Sequence, residues 1–81
     1  MSHFLNLITE ETQKILNSKG LGEAKITAAT NFLTDLQMDS LDLATLIINL
    51  EDLTQLEPFR NGFKSFHTVA QLAALYDTMS S

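Results

Sequence analysis

Apolar residues recur at helical spacing in three stretches of the chain, and no stretch alternates as a strand would. Over residues 3–18, Phe4, Leu5, Ile8, Thr12, Ile15 and Leu16 fall on one side of a helix. Ser2 is placed to cap its start, and Gly20 is free to take the left-handed conformation that ends it, with Gly22 close behind. The second helix follows Asp39, which can cap it, and Asp42 three residues on echoes a capping box. Within it Leu43, Leu46, Ile47, Leu50 and Leu53 form a core stripe. Leu41, Ala44 and Ile48 form another on a different side. The third helix opens on Thr68-Val69-Ala70-Gln71, a T-x-x-Q capping box, and buries Val69, Leu72, Ala73, Leu75 and Tyr76. The tail from Thr78 to Ser81 is expected to fray.

Residues 20–39 show no strong periodicity, and a connection of that length has to be pinned to the core. Leu21, Ile26, Phe32, Leu33 and Leu36 are the expected pins. Beyond Pro58, the residues Phe59, Phe63 and Phe66 lie around Gly62 in a short irregular or one-turn helical stretch. The expected fold is all-α: a single domain over residues 1–81, built as a small four-helix bundle of three main helices and one short one. Its radius of gyration should be about 12 Å.

Composition narrows the chemistry. Hydrophobic residues at 44% and charged residues at 19% describe a globular chain rather than a disordered one. A domain this small leaves little room for a deep enzyme cleft of the usual ~300–1,000 Å³. The absence of Cys excludes disulfides, thiolate metal sites and cysteine nucleophiles. His3 and His67 are the only histidines. Net charge is −5, and its excess is localised: Asp35, Asp39, Asp42, Glu51, Asp52 and Glu57 fall in residues 35–57 without a single base. Such a balance argues against nucleic acid as a partner. It fits either a solvated helix face or a docking surface for basic partners. No apolar run is long enough to span a membrane, and the first residues lack signal-peptide character. A soluble, cytoplasmic monomer is the expectation.

Catalytic readings find little material. Nothing brings His3 or His67 beside a serine with an oxyanion hole, so a serine hydrolase lacks its base. A calcium loop starting at Asp35 would put Ser40 where Gly is needed and Leu46 where the bidentate Glu is needed, and no other metal site is expected. No phosphate-cradling glycine-rich loop is present. One constellation remains, Asp39-Ser40-Leu41-Asp42 at the start of the second helix. Asp39 and Ser40 could simply compete to cap that helix. Alternatively, Ser40 is a modification site, where a phosphodiester would sit against the free amides and positive end of the helix.

With these residues in place the sequence resembles an acyl carrier protein of the phosphopantetheine-binding superfamily. The likeness runs over nearly the whole chain. It is most specific at Asp39-Ser40-Leu41-Asp42, the family's D-S-L motif. Phe32-Leu33-Thr34-Asp35-Leu36 precedes it, Leu46 through Asp52 follow, and Phe66-His67-Thr68-Val69 opens the last helix. The resemblance implies a non-catalytic carrier whose Ser40 bears 4′-phosphopantetheine, delivered from coenzyme A by a phosphopantetheinyl transferase. The thiol of that arm would hold acyl groups as thioesters, which supplies the sulfur the chain lacks. It also implies that Asp39 helps position the transferase's metal and substrate. Leu41, Asp42, Ala44, Ile48 and Asp52 would meet basic docking surfaces on ketosynthase-type, acyl-transferring or acyl-activating enzymes of fatty-acid or polyketide-type biosynthesis.

Several positions depart from the family pattern. Gln37 stands where Gly is usual, Thr45 where Glu is usual, Leu53 for another acid and Thr54 for a core Phe. Leu53, Leu56 or Phe59 would fill the space of that Phe. Arg60 and Lys64 replace a normally acidic surface. These changes point to a specialised carrier rather than the housekeeping fatty-acid carrier. An aryl, aminoacyl or peptidyl carrier, or a helical adaptor with no prosthetic group, are the alternatives; an adaptor gives no reason for Asp-Ser-Leu at the helix start.

Overall fold

In a computed structural model residues 3–60, 62 and 64–80 are described. They form α1 (His3–Ser18), α2 (Ser40–Thr54) and α3 (Val69–Ser80), with a Cα radius of gyration of 11.8 Å. The expected cap at Ser2 and the expected position of Phe63 lie outside the described residues, as does Ser81. α3 runs through Thr78 and Met79 rather than fraying there, and the Thr78 hydroxyl donates to the Ala74 carbonyl at 2.9 Å. Where a short fourth helix was expected, the described residues show only turns. The Arg60 N–H donates to Glu57 O and the Gly62 N–H to Phe59 O, both at 3.1 Å.

Each helix contributes the stripe its spacing predicts, and α1 packs against both α2 and α3. The buried core takes Ile8, Ile15 and Leu16 from α1, Leu46 and Leu50 from α2, and Val69, Leu72, Ala73 and Tyr76 from α3. Phe32, Leu36 and Met38 complete it from the long connection, with Phe66 from the segment before α3. Leu53 departs from its predicted stripe and is 55% exposed. It sits in the last turn of α2, where Gln55 takes a left-handed conformation (φ 60°) and redirects the chain. Leu56 and Phe59 then pack on the core in its place.

The connection between α1 and α2 is held largely by hydrogen bonds. α1 ends in a Schellman motif: Gly20 (φ 78°) donates to Asn17 O and Leu21 to Leu16 O, both at 3.0 Å. Beyond it, the Asn31 side chain accepts from the amides of Leu33 (3.0 Å) and Thr34 (3.1 Å), while Asp35 accepts from the Asn31 N–H at 2.8 Å. This closed turn holds Leu33 outward, so Leu33 and Leu21, both 47% exposed, are not the pins their apolarity suggested. Met38, which no periodicity marks, is buried instead.

An isolated antiparallel bridge pairs Asn31 with Thr68 and fixes the loop to the start of α3. It also accounts for the amides of the first turn of α3, which have no partner within the helix. Val69 donates to Thr30 O (3.1 Å), Ala70 to Ala28 O (2.9 Å) and Gln71 to Thr68 Oγ1 (3.2 Å). Gln71 Oε1 in turn accepts from Thr68 N–H (3.2 Å) and His67 N–H (2.6 Å), completing the predicted capping box.

Tyr76 is fully buried in this core, and its hydroxyl has no hydrogen-bond partner among the described residues. Burial, with the Glu51 charge adding to it, pushes the phenol up to about 12. Because the folded value is raised, the stabilisation is complete below the unfolded value of about 10 and is lost as pH rises toward the folded one. Tyr76→Phe removes a desolvated hydroxyl while keeping the ring. It is expected to be neutral or up to about 1 kcal/mol more stable at pH 7. Thermal melts from pH 7 to pH 11 should show the wild type losing more stability than the variant above about pH 10.

Candidate functional site

Asp39 caps α2 with extended backbone (φ −109°, ψ −177°). Its Oδ1 accepts from the Asp42 N–H at 2.9 Å, and Asp42 Oδ2 accepts from the Asp39 N–H at 3.1 Å. The reciprocal box settles which residue caps the helix: Asp39 does, and the Ser40 hydroxyl is left out of it. Ser40 is the first residue of α2 and is exposed. The amides of Ser40 and Leu41 are not taken up by the box, so the site offers an exposed hydroxyl at the positive end of a helix.

The chain enters this site under strain. Gln37 holds φ 56°, a left-handed conformation that costs a non-glycine residue about 1–2 kcal/mol. Its place in the sequence is the one where glycine is usual in the family the sequence resembles. Gln37→Gly is therefore expected to stabilise the fold by roughly 0.5–1 kcal/mol, after allowing for the greater freedom of glycine in the unfolded chain. A lower midpoint in chemical denaturation would contradict that account.

Lys19, just past α1, donates through Nζ to Asp42 Oδ2 at 2.5 Å and to the Gln37 carbonyl at 3.2 Å. The hydrogen bond from Lys19 leads the causes that hold the Asp42 carboxyl below its ordinary value. The Asp39 N–H acts the same way, and partial burial opposes both. A lowered carboxyl stabilises the fold above its unfolded value and loses that contribution as pH falls through the folded one, so the clamp is complete at neutral pH and opens on acidification.

Beside Ser40 opens an apolar cleft of about 410 Å³. Leu43, Ala44, Ile47 and Ile48 of α2 line one wall, and Phe59 and Phe66 complete it. A chain of this size was expected to leave little space of that kind. The segment after α2 supplies its aromatic side, through Phe59 and Phe66. Leu41 is 73% and Ile48 63% exposed, and Ala44 is exposed with them, so the predicted second stripe does face outward, with Ala44 and Ile48 also lining the cleft. Asp39 and Asp52 are also exposed on α2. Asp42 is not: its carboxylate is spent on the capping box and Lys19.

No local pattern announces the cleft's aromatic wall, because Phe59 and Phe66 fall outside any helical period. Lys19 was also missed, since its partner Asp42 lies 23 residues away. His3 and His67 are both exposed and are not brought together with Ser40 in the cleft. Among the described residues no group of three or more His, Cys, Asp or Glu could hold a metal ion, and no helix is long and apolar enough to cross a membrane.

No family model matches the chain, and no curated protein matches it. Among solved structures it is similar to the solution structure of MacpD, an acyl carrier protein from Pseudomonas fluorescens involved in mupirocin biosynthesis. The two share 33% sequence identity and superpose with a TM-score of 0.82, over 95% of this chain and 70% of that one. Identity at that level across nearly the whole chain, on the same fold, places this chain in the acyl carrier protein family.

Proposed function

We propose that the protein carries acyl intermediates as thioesters on a 4′-phosphopantetheine arm attached to Ser40, and presents them to the enzymes of a polyketide-type pathway. The observation that carries this reading is the exposed Ser40 hydroxyl, left free by the Asp39–Asp42 box at the helix N-terminus and at the edge of an apolar cleft. These residues fit the group. An attached phosphodiester would lie against the first amides of α2, where the macrodipole favours an anion. The arm supplies a thiol, which the chain itself lacks.

In loading, the Ser40 hydroxyl is the nucleophile, and the new bond is from its oxygen to the phosphorus that carries the pantetheine arm in coenzyme A. The nucleotide part of coenzyme A leaves, and the transferase takes up the proton. Asp39 holds the helix start in place and is exposed, where it would help position the transferase's metal and substrate. Leu43, Ile47, Phe59 and Phe66 offer an apolar acyl group a dry place to lie. A chain loaded from coenzyme A works where that cofactor is kept, in the cytoplasm, and as a monomer it leaves the outward stripe of α2 open to partners.

Partner enzymes meet Leu41, Ala44 and Ile48, with Asp39 and Asp52 steering basic surfaces toward them. Asp42 adds to the field, but a basic partner would have to compete with Lys19 for its carboxylate. Asp52→Lys is expected to slow association with the transferase several-fold at low salt and to weaken its salt dependence, at unchanged stability. Stopped-flow association rates over a range of ionic strength check this.

The thioester part of the reading is tested by loading the protein from acetyl-coenzyme A with a broad-specificity transferase. The expected product gains acetyl-phosphopantetheine at the Ser40 peptide, and neutral hydroxylamine removes the acetyl group alone. Modification elsewhere in the chain, or an acetyl group that resists hydroxylamine, would contradict it.

A further inference from the structure

One ammonium group ties the end of α1 to the entry of α2. Lys19 follows the last residue of α1, and its own backbone is fixed by the helix end, its N–H donating to Ile15 O (3.2 Å) and Leu16 O (3.1 Å). From that anchor Nζ reaches both Asp42 Oδ2 (2.5 Å) and the Gln37 carbonyl (3.2 Å). Besides Lys19, the segment is held by the Asp39–Asp42 box, by the Met38 N–H donating to Phe32 O (3.2 Å) and by the buried Met38 side chain, none of which is a hydrogen bond to α1. Gln37, Asp39, Ser40 and Leu41 are all exposed, Gln37 sits in a left-handed conformation, and within residues 37–41 only Met38 is buried. The capping box also brings two carboxylates together, and the Lys19 charge offsets their repulsion.

We infer that Lys19 is a positioning residue for group transfer to Ser40: it braces residues 37–42 so that the serine is presented to the transferase in one conformation. The inference rests on the reading of Ser40 as the attachment site. Without the brace, the segment spreads over conformations of which only a fraction can bind productively. The apparent affinity of the transferase for its protein substrate then falls by that fraction, while turnover of the bound complex is unchanged.

The experiment measures KM and kcat for phosphopantetheine transfer from coenzyme A to wild type, Lys19→Gln, Lys19→Arg and Lys14→Gln. Lys14 pairs with Glu11 on α1, so Lys14→Gln makes the same change in net charge with the clamp intact. A pure charge effect makes both glutamine variants more acidic and, if anything, speeds their encounter with a basic enzyme. The clamp predicts that Lys19→Gln alone raises KM, by about fivefold, with kcat within about twofold of wild type. It also predicts faster amide exchange at residues 38–42 in Lys19→Gln, and a KM nearer wild type in Lys19→Arg. Circular dichroism at the assay temperature confirms that each variant is folded. Equal KM values for Lys19→Gln and Lys14→Gln would overturn the inference while leaving the carrier reading standing. A wild type that accepts no arm would overturn the carrier reading and this inference with it.

Discussion

Ser40→Ala is expected to abolish loading completely while leaving the helical fold and its stability intact. The side chain lost is exposed, and the helix cap belongs to Asp39 and Asp42, so no structural bond depends on the hydroxyl. Exposed substitutions of this kind usually change stability by less than about 0.5 kcal/mol. The chemistry has no substitute nucleophile in the cleft: the chain has no cysteine, and among the described residues Ser40 is the only hydroxyl residue lining it. Loading is therefore all or none at this position. Circular dichroism should superpose for the two proteins, and only the wild type should accept the arm. A Ser40→Ala protein that is still modified would place the site elsewhere.

The second large effect separates the two faces of α2. Leu46 is fully buried, and truncating it to Ala should cost about 2–5 kcal/mol, a loss of at least ten degrees in melting temperature for a domain of this size. Ile48, two residues on, is 63% exposed, and Ile48→Ala should leave the melting temperature almost unchanged. The contrast reverses for partners. Ile48→Ala should weaken association with the transferase, whereas Leu46→Ala, studied at a temperature where it is folded, should associate as wild type does. Paired melting and binding measurements check both halves. A large stability loss at Ile48 would mean that the outward stripe is core.

Much of this architecture is legible in the sequence because local physics dictates it. Helical spacing places α1, α2 and α3, and the reciprocal caps at Asp39/Asp42 and Thr68/Gln71 mark two of their starts. Gly20 marks the end of α1 because a left-handed residue is needed there. Ser40 is legible for the same reason: a short motif at a capped helix start has a definite place in space. What is not legible depends on contacts between distant residues. Hydrophobicity alone selected Leu21 and Leu33 as pins, but hydrogen-bonded turns keep both outward and bury Met38 instead. Leu53 fits the stripe by spacing, yet α2 outruns the core at its last turn. The Lys19 clamp and the aromatic wall of the cleft join segments far apart in sequence, and no local pattern announces either.

The departures at Gln37 and Thr54 take on physical form in the structure. Gln37 adopts the left-handed backbone that its position demands, and its carbonyl is held by Lys19. Thr54, in place of an aromatic residue, turns its hydroxyl to the Leu50 carbonyl at 2.7 Å and accepts from the Leu56 N–H at 3.1 Å. Leu56 and Phe59 then supply the missing apolar bulk from the following segment.

The most direct test of the carrier assignment is the intact mass of the wild-type protein after incubation with coenzyme A and a broad-specificity phosphopantetheinyl transferase. The account predicts a gain of a single phosphopantetheine, located on Ser40. A folded protein, free of prior modification, that gains no mass would contradict it.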